Sequence, residues 1–271
     1  MRINIAAPQI KDLIEKSNKV LLLTRANPSV DGVCSMIALY DILASLGKNP
    51  TSATTGRVPE EVNHLPHISR LMDRIEPKNL IISFDYVEGM IDKVSYKIEG
   101  NKFKLIISPK EKRINPEQVE YSYKGTDYDL VFILDSPDLE SLGKLFADPE
   151  FYSTATTVNI DRRVNNTQFG KVNIIEPRND SVCAIITKLL ADSNIKLTSV
   201  AADALLFGLR ASTSNFTKVN NPSTFEAASI CVASSGRFGT QSEMKIANEE
   251  SIKTSEKNFF APKIFKSSSS D

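Results

Sequence analysis

The apolar positions of the chain follow two patterns, short continuous runs and longer runs with helical spacing. Residues 19–24 (KVLLLT) are almost continuously apolar, which is typical of a strand buried on both faces of a sheet. Residues 33–46 have apolar side chains three and four positions apart and are followed by Gly47, which predicts a helix with a glycine just after its end. A helix with the same spacing is predicted over residues 8–18. The order of helix, strand, loop and helix indicates the beginning of a βαβ unit.

The middle of the chain has a different pattern. Residues 79–86, 93–99 and 102–108 are strand-like, and the turn between the last two, EGN at 99–101, is typical of a hairpin. We therefore expect a small antiparallel insertion at about residues 79–124. The edges of such an insertion are able to pair with a strand of another chain, so a protein partner bound at residues 79–108 is one hypothesis for its function.

Strands and helices alternate again after the insertion. Buried strands are predicted over residues 129–134 and 156–160, and helices over residues 139–146, 181–190, 198–209 and 223–233. This alternation predicts an α/β domain over residues 1–239, with a doubly wound, mainly parallel sheet and flanking helices. The periodic patterns fade from Thr240 onward, and we expect residues 240–271 to form a short flexible tail.

Composition and charge narrow the possible functions. The chain has 33 Lys and Arg residues and 33 Asp and Glu residues, so its formal net charge is zero. A neutral chain has no overall field that attracts nucleic acid or anionic lipid, and any site for a polyanion must be a local cluster. His64 and His67 are the only histidines, which excludes a site with three His ligands, and neither lies in a metal-binding motif.

The cysteines argue against a zinc site and against a disulfide framework. Cys34, Cys183 and Cys231 are far apart in the sequence, and none belongs to a C-x-x-C pair. We expect three reduced, buried thiols. The N-terminus lacks the pattern of a signal peptide, and no apolar run approaches the roughly 18 residues that a membrane-spanning helix needs. We therefore expect a soluble, cytoplasmic protein with no membrane partner.

Three aspartates each follow a predicted strand: Asp31, Asp135 and Asp161. In an open α/β sheet, the residues beyond the carboxyl ends of parallel strands face the ligand crevice. Carboxylates at that position are candidate ligands for Mg²⁺ or Mn²⁺. Each aspartate also has a possible structural role, because Asp readily caps helices and stabilises turns. The occurrence of three such residues in one domain favours a shared site.

Four sequence blocks, three of which contain these aspartates, form a recognisable set. Residues 23–35 (LTRANPSVDGVCS) are similar to the motif T-H-x-N-P-D-x-D-x-x-x-S, and residues 132–138 (FILDSPD) provide an Asp after a strand. Residues 159–170 (NIDRRVNNTQFG) are similar to I-D-H-H-x-x-N-x-x-F-G, and residues 202–216 (ADALLFGLRASTSNF) to A-x-x-L-x-x-G-I-x-x-D-T-x-x-F. The set resembles the motifs of DHH-family phosphoesterases, which include RecJ-like nucleases, oligoribonuclease/pAp phosphatases and cyclic dinucleotide phosphodiesterases. The resemblance implies an α/β fold and a site for two divalent metals.

The chain departs from this pattern at most of the positions to which the resemblance assigns metal ligands. Arg25 and Ser29 stand where the first motif has His and its first Asp. Arg162 and Arg163 stand at both His positions of the motif that names the family, and Ser212 stands where the fourth block has Asp. An arginine cannot lose its proton or coordinate a metal, and its charge repels one.

The remaining carboxylates are too few for the chemistry that the resemblance implies. Asp31 and Asp135 occupy ligand positions, and Asp161 remains in a supporting position. Activation of water between two metals requires several ligands to hold both ions about 3.5–4 Å apart. We therefore expect a pseudoenzyme, with Mn²⁺ or Mg²⁺ as a cofactor only if some activity remains. We also expect the C-terminal substrate-binding domain of the family to be absent.

The arginines have two interpretations, and the sequence leaves both open. In the first, Arg25, Arg162 and Arg163, together with Asn27, bind the phosphate of a small nucleotide or short oligonucleotide without cleaving it. In the second, the arginines pair with the three aspartates and form a neutral cluster. The leading hypothesis is an inactive phosphoesterase-like domain that binds a nucleotide or phosphate or acts as a scaffold. The alternative is a weak metal-dependent phosphoesterase acting on short nucleotides.

Overall fold

The computed structural model describes residues 3–77, 79–125, 127–146 and 155–234. The strands of this part of the chain are β1 (Lys19–Thr24), β2 (Asn49–Ala53), β3 (Asn79–Ser83), β4 (Ile91–Glu99), β5 (Lys102–Pro109), β6 (Glu120–Lys124), β7 (Leu130–Leu134), β8 (Thr156–Asp161) and β9 (Val172–Ile175). The α-helices are α1 (Ile3–Lys16), α2 (Val30–Ser45), α3 (Val182–Asp192), α4 (Ser199–Ser212) and α5 (Ser223–Ala233). The predicted tail, residues 240–271, lies outside the described residues.

A parallel sheet forms the centre of the fold, with its strands in the order β2-β1-β7-β8-β9. If only the strands of this sheet are numbered, the order is 2-1-3-4-5, a doubly wound arrangement whose switch point lies between β1 and β7. Ligands of such sheets bind beyond the carboxyl ends of the strands beside the switch point. The predicted α/β class and mainly parallel sheet are confirmed.

The sheet is buried on both faces, which explains the continuous apolar runs of its central strands. Leu22 of β1 and Phe132 of β7 belong to a hydrophobic cluster to which all five described α-helices contribute. Leu21 and Val131, one residue earlier on each strand, belong to a second cluster that contains Leu142. Successive side chains of a strand point to opposite faces, so both faces of β1 and β7 require apolar residues.

The predicted insertion is present as two antiparallel strand pairs between β2 and β7. One pair consists of β3 and β6, and the other is the hairpin of β4 and β5. The hairpin turns at Gly100, whose φ of 58° lies in the left-handed region that glycine favours.

Several local predictions differ from the structure. α1 begins at Ile3 and not at residue 8, and β3 ends at Ser83 and not at residue 86. The segment predicted as an α-helix over residues 139–146 is a 3₁₀ segment, Glu140–Phe146, which is interrupted at Gly143 with φ 60° and ψ −126°. A Cβ at this glycine would lie 3.2 Å from the Ala26 Cβ, so the break lets the segment approach the loop after β1. In addition, α2 begins at Val30, because Ser29 caps it. No helix of the described residues is long and apolar enough to cross a bilayer.

Candidate functional site

The ends of β1, β7 and β8 meet at the carboxyl edge of the sheet. Thr24 is paired in register with Leu134, and Leu134 is paired with Ile160. Asp135 follows Leu134 and Asp161 follows Ile160. The register therefore places two of the three predicted aspartates side by side on neighbouring strands, next to the switch point.

Arg163 joins these two aspartates through one guanidinium group. Its Nη2 lies 2.9 Å from Oδ1 of Asp135, and its Nη1 donates to Oδ1 of Asp161 at 2.7 Å. Asp135 is 2% exposed and Asp161 is fully buried. The other carboxylate oxygen of Asp161 accepts a hydrogen bond from Nδ2 of Asn166 at 2.9 Å. A fixed positive charge therefore lies between two buried carboxylates and compensates part of their charge.

Asp135 also contacts the loop that follows β1. The Ser29 hydroxyl donates to its Oδ2 at 2.7 Å, and Nε of Arg25 lies 3.8 Å from the same oxygen. Burial raises the pKa of Asp135 above its usual value, and the nearby charge of Asp31 adds to this shift. The charge of Arg163 opposes the shift, as do the hydrogen bond from Ser29 and the charge of Arg25. Both oxygens of this carboxylate are therefore engaged by groups of the chain itself.

Asp31, the third aspartate, accepts hydrogen bonds from the first residues of α3. Its Oδ1 accepts hydrogen bonds from the Ser181 hydroxyl at 2.7 Å and the Cys183 backbone N–H at 3.0 Å. Its Oδ2 accepts the Val182 backbone N–H at 2.7 Å. A carboxylate at this position satisfies N–H groups that have no partner inside the helix and interacts favourably with the helix dipole. The structural role considered for the aspartates is thus present at Asp31.

Ser29 has two contacts at the start of α2. It is the N-cap residue, and its Oγ accepts the backbone N–H of Gly32 at 3.0 Å while donating to Asp135. A Cβ at Gly32 would lie 2.8 Å from Oγ1 of Thr24 and 3.2 Å from Oδ2 of Asp135. A glycine at this position therefore allows the helix to begin directly against the end of β1 and the Asp135 carboxylate.

This arrangement does not fit a pair of divalent metals. All three carboxylates have hydrogen-bond or ion-pair partners within the chain, and Arg163 occupies the position between Asp135 and Asp161. Oγ1 of Thr24 and Oδ1 of Asn159 are buried without a donor, but hard divalent ions require carboxylate ligands in addition to neutral oxygens. Among the described residues, no group of three or more His, Cys, Asp or Glu side chains is arranged to hold a metal.

The other arginines of the motifs have different environments. Nε of Arg25 is buried without a hydrogen-bond acceptor in the described part of the chain, and the side chain as a whole is 37% exposed. Arg162 is exposed, and its side chain has no ion pair with any described residue. Asn27, also predicted to bind phosphate, has a φ of 51°, and its Oδ1 accepts the backbone N–H of Arg57 at 2.9 Å. Asn27 thus connects the loop after β1 to the loop after β2.

The other residues singled out from the sequence make no side-chain contact with the carboxylates of Asp135 and Asp161 in the described part of the chain. Ser212 is the last residue of α4, and within the described residues no hydrogen bond joins it to the aspartates. Nε2 of His67 lies 2.7 Å from Oδ1 of Asp41, and the ring of His64 contacts that of Phe207 edge-on, with centroids 4.9 Å apart. The three cysteines are free and buried, and burial raises the pKa of each thiol.

Two partners of the aspartates were not assigned a role from the sequence. Asn166 lies within the third block, where the motif also has Asn, and this was the available signal for its contact with Asp161. Ser181 begins the predicted helix 181–190, and a Ser at a helix start is a capping signal. Nothing in the sequence indicates that the carboxylate it meets belongs to Asp31.

Comparisons with known proteins identify a family and a similar fold for this chain. Residues 19–209 match the DHH family, N-terminal domain. No curated protein matches the chain. Among solved structures, the crystal structure of an exopolyphosphatase-related protein from Bacteroides fragilis has a TM-score of 0.62 and 14% sequence identity. The match covers 86% of this chain and 57% of that protein, and at this identity the likeness concerns the fold alone.

The family match includes β1, β7 and β8 and all three aspartates. It extends over residues 19–209, which is more than half of the chain. The same residues form the sheet, its switch point and the cluster of charged side chains beside it. The chain therefore belongs to the DHH family and contains a phosphoesterase-type domain.

Proposed function

We propose that this phosphoesterase-type domain is catalytically inactive and binds a phosphate-containing ligand at its former metal site. The observation that carries the proposal is the bridge from Arg163 to Asp135 and Asp161, at 2.9 and 2.7 Å. A guanidinium stays protonated at any pH at which the protein folds, so it never becomes a metal ligand. The two carboxylates are thus committed to a cation that belongs to the chain.

The charges around the site favour an anionic ligand at its rim. Arg163 is committed to two carboxylates, but Nε of Arg25 is buried without a hydrogen-bond partner and Arg162 is exposed. Arg25 approaches Asp135 only at 3.8 Å and is 37% exposed. Guanidinium groups bind phosphate oxygens through paired N–H donors. We propose that Arg25 and Arg162 supply these donors and that a small nucleotide or short oligonucleotide is the ligand.

The loss of metal removes the usual route of phosphoester hydrolysis. Without metal ions, no group of the site lowers the pKa of a water molecule to near neutrality. Asp135 is not free to accept a proton from a water molecule, because its Oδ2 accepts a hydrogen bond from Ser29 and its Oδ1 is ion-paired with Arg163. What the residues of the site retain is the ability to bind and orient an anion by charge-assisted hydrogen bonds.

The proposal is tested by measuring binding and hydrolysis separately. We expect pAp, a dinucleotide or a cyclic dinucleotide to raise the melting temperature without added metal. Arg25→Gln and Arg162→Gln are each expected to weaken binding at least tenfold, whereas Arg113→Gln, at an exposed position of the insertion, leaves it unchanged. The absence of a shift with every ligand would overturn the binding role.

Hydrolysis decides the question of activity. We expect no Mn²⁺- or Mg²⁺-dependent turnover of the same nucleotides above the rate of a reaction without protein. Turnover that is abolished by Asp135→Ala would overturn the proposal and establish the weak phosphoesterase instead. Turnover that this substitution leaves unchanged would come from a contaminating enzyme. Further purification would then remove the contaminant before the comparison is repeated.

A further inference from the structure

One face of the β4–β5 hairpin is apolar along its whole length. The antiparallel register pairs Val94 with Ile107, Tyr96 with Leu105 and Ile98 with Phe103. Because side chains alternate across a strand, these residues share one side. We call this side the ribbon face; it consists of Val94, Tyr96, Ile98, Phe103, Leu105 and Ile107.

The opposite face of the hairpin is mostly polar. Lys97 is paired with Lys104 there, and Ser95 is paired with Ile106. Both lysines are exposed and ion-paired with Glu99, and such charged side chains are almost never buried. The sequence of the hairpin therefore gives it one polar side suited to solvent and one apolar side suited to packing against another surface.

The ribbon face is nevertheless exposed in the single chain. Tyr96, Ile98 and Phe103 are 68%, 67% and 66% exposed, and the rings of Tyr96 and Phe103 stack with centroids 5.4 Å apart. A two-stranded hairpin is marginally stable in water unless its apolar face packs against something. Contiguous apolar patches of more than a few hundred Å² mark interaction surfaces.

The second strand pair of the insertion has the same construction. Leu80 is paired with Tyr123 and Ile82 with Tyr121, and the two tyrosines are 62% and 70% exposed. The ribbon face by itself offers on the order of 600 Å² of exposed surface, so two such faces would bury about 1,200 Å² in total, the lower end of the range for specific interfaces.

We propose that the ribbon face is an interface between two copies of this chain, with one ribbon face packed against the other. A two-fold interface requires a patch that is complementary to itself. The ribbon face meets this requirement, because it contains no charged residue at any of its positions. The formal net charge of the chain is zero, so two copies do not repel each other as they approach.

The test is the oligomeric state of the full chain and of two matched variants. We expect sedimentation to show dimers over a series from about 1 to about 100 μM, a range suited to an interface of this size. Ile98→Lys places a charge on the ribbon face and is expected to raise the dimer Kd at least tenfold. Ile106→Lys makes the same change on the opposite, polar face of the same hairpin and is expected to leave the Kd unchanged.

Three results would overturn this proposal. They are a wild-type chain that remains monomeric throughout the series, a dimer that Ile98→Lys does not weaken, and an equal effect of both lysine variants. If the chain is monomeric and removal of residues 235–271 makes the ribbon face bind a hydrophobic dye, that segment covers it instead of a second copy. Circular dichroism of each variant confirms that the parallel sheet is intact, so a change in oligomeric state is not mistaken for unfolding.

Discussion

Asp135 and Arg163 form an ion pair at the switch point of the parallel sheet, with Nη2 of the arginine 2.9 Å from Oδ1 of the aspartate. The aspartate is 2% exposed, and the same guanidinium contacts Asp161 at 2.7 Å. The resemblance to DHH phosphoesterases assigns His, a metal ligand, to the position of Arg163. In this chain the guanidinium group of Arg163 supplies the positive charge that compensates the two carboxylates.

Arg163→Ala is expected to destabilise the fold strongly. The substitution leaves two buried carboxylates without their cation, and such changes cost about 3–5 kcal/mol of the free energy of unfolding. Urea denaturation followed by circular dichroism at pH 7 measures this loss. Arg162→Ala, at the adjacent exposed position, is the matched control and is expected to change the free energy by less than about 0.5 kcal/mol. A loss below about 1 kcal/mol for Arg163→Ala would contradict the assigned bridge.

Asp135→Asn is expected to change the pH dependence of stability in a defined direction. The pKa of Asp135 is raised in the folded state, so the native protein binds this proton more tightly than the unfolded chain does. Its contribution to stability is present below the unfolded pKa of about 3.9 and is lost as the pH rises through the folded pKa. The asparagine of the variant does not titrate, so the variant does not lose stability in this way as the pH rises. Its free energy of unfolding should therefore increase relative to that of the wild type as the pH rises from about 4 toward neutrality.

The comparison at several pH values tests this sign directly. Denaturation curves of both proteins at pH 4, 5, 6 and 7 provide the difference in free energy of unfolding. A difference that decreases with rising pH would show that the folded-state pKa of Asp135 is lowered, as expected if Arg163 and Arg25 dominated over burial.

Asp31→Ala is expected to destabilise the domain through α3. The carboxylate accepts the backbone N–H groups of Val182 and Cys183 and the Ser181 hydroxyl. Loss of these bonds leaves buried donors without an acceptor and removes a favourable interaction with the helix dipole, together costing about 2–4 kcal/mol. Thermal and urea unfolding measure the change, and Asp12→Ala on the exposed side of α1 is the control. A variant as stable as the wild type would show that Asp31 has no capping role.

The central strands were predictable from the sequence because burial on both faces leaves a simple signal. β1 and β7 are almost continuously apolar, β8 (TTVNID) has Val158 and Ile160 at alternate positions, and all three were predicted with nearly their observed bounds. β2 (NPTSA) was missed, because it is an edge strand with a proline and only two buried residues. β9 has four residues, too few for a periodic pattern to be recognised.

The site was predictable only in part, because its decisive contacts join distant segments. The placement of Asp135 and Asp161 at neighbouring strand ends follows from the α/β pattern. The α/β pattern does not predict whether an arginine pairs with these aspartates, because the pairing depends on the direction of each arginine side chain. Arg163 contacts the two buried carboxylates while the adjacent Arg162 is exposed, and no local pattern of the sequence distinguishes the two arginines. The capping of α3 by Asp31 joins residues about 150 positions apart and leaves no local signal.

Restoration of the family motif is expected to create a metal site. The variant combines Arg25→His, Ser29→Asp, Arg162→His, Arg163→His and Ser212→Asp, which removes three cations and adds two carboxylates and three imidazoles. These groups are the ligands that Mn²⁺ prefers in mixed nitrogen and oxygen sites. We expect the variant to be less stable than the wild type without metal and to be stabilised by Mn²⁺. Melting temperatures with and without the ion measure the effect, and equal values in both conditions would contradict the expectation.

The most direct test of the central claim is the binding of Mn²⁺ to the wild-type chain, measured by isothermal titration calorimetry and by the melting temperature. If Arg163 has taken the place of the metal, millimolar Mn²⁺ produces no binding heat above dilution and no increase in melting temperature. A ligand present at about 100 times its Kd would stabilise the fold by about 2.7 kcal/mol, which is easily detected. Stabilisation of that size, lost in Asp135→Asn, would contradict the account and show that the chain has kept a functional metal site.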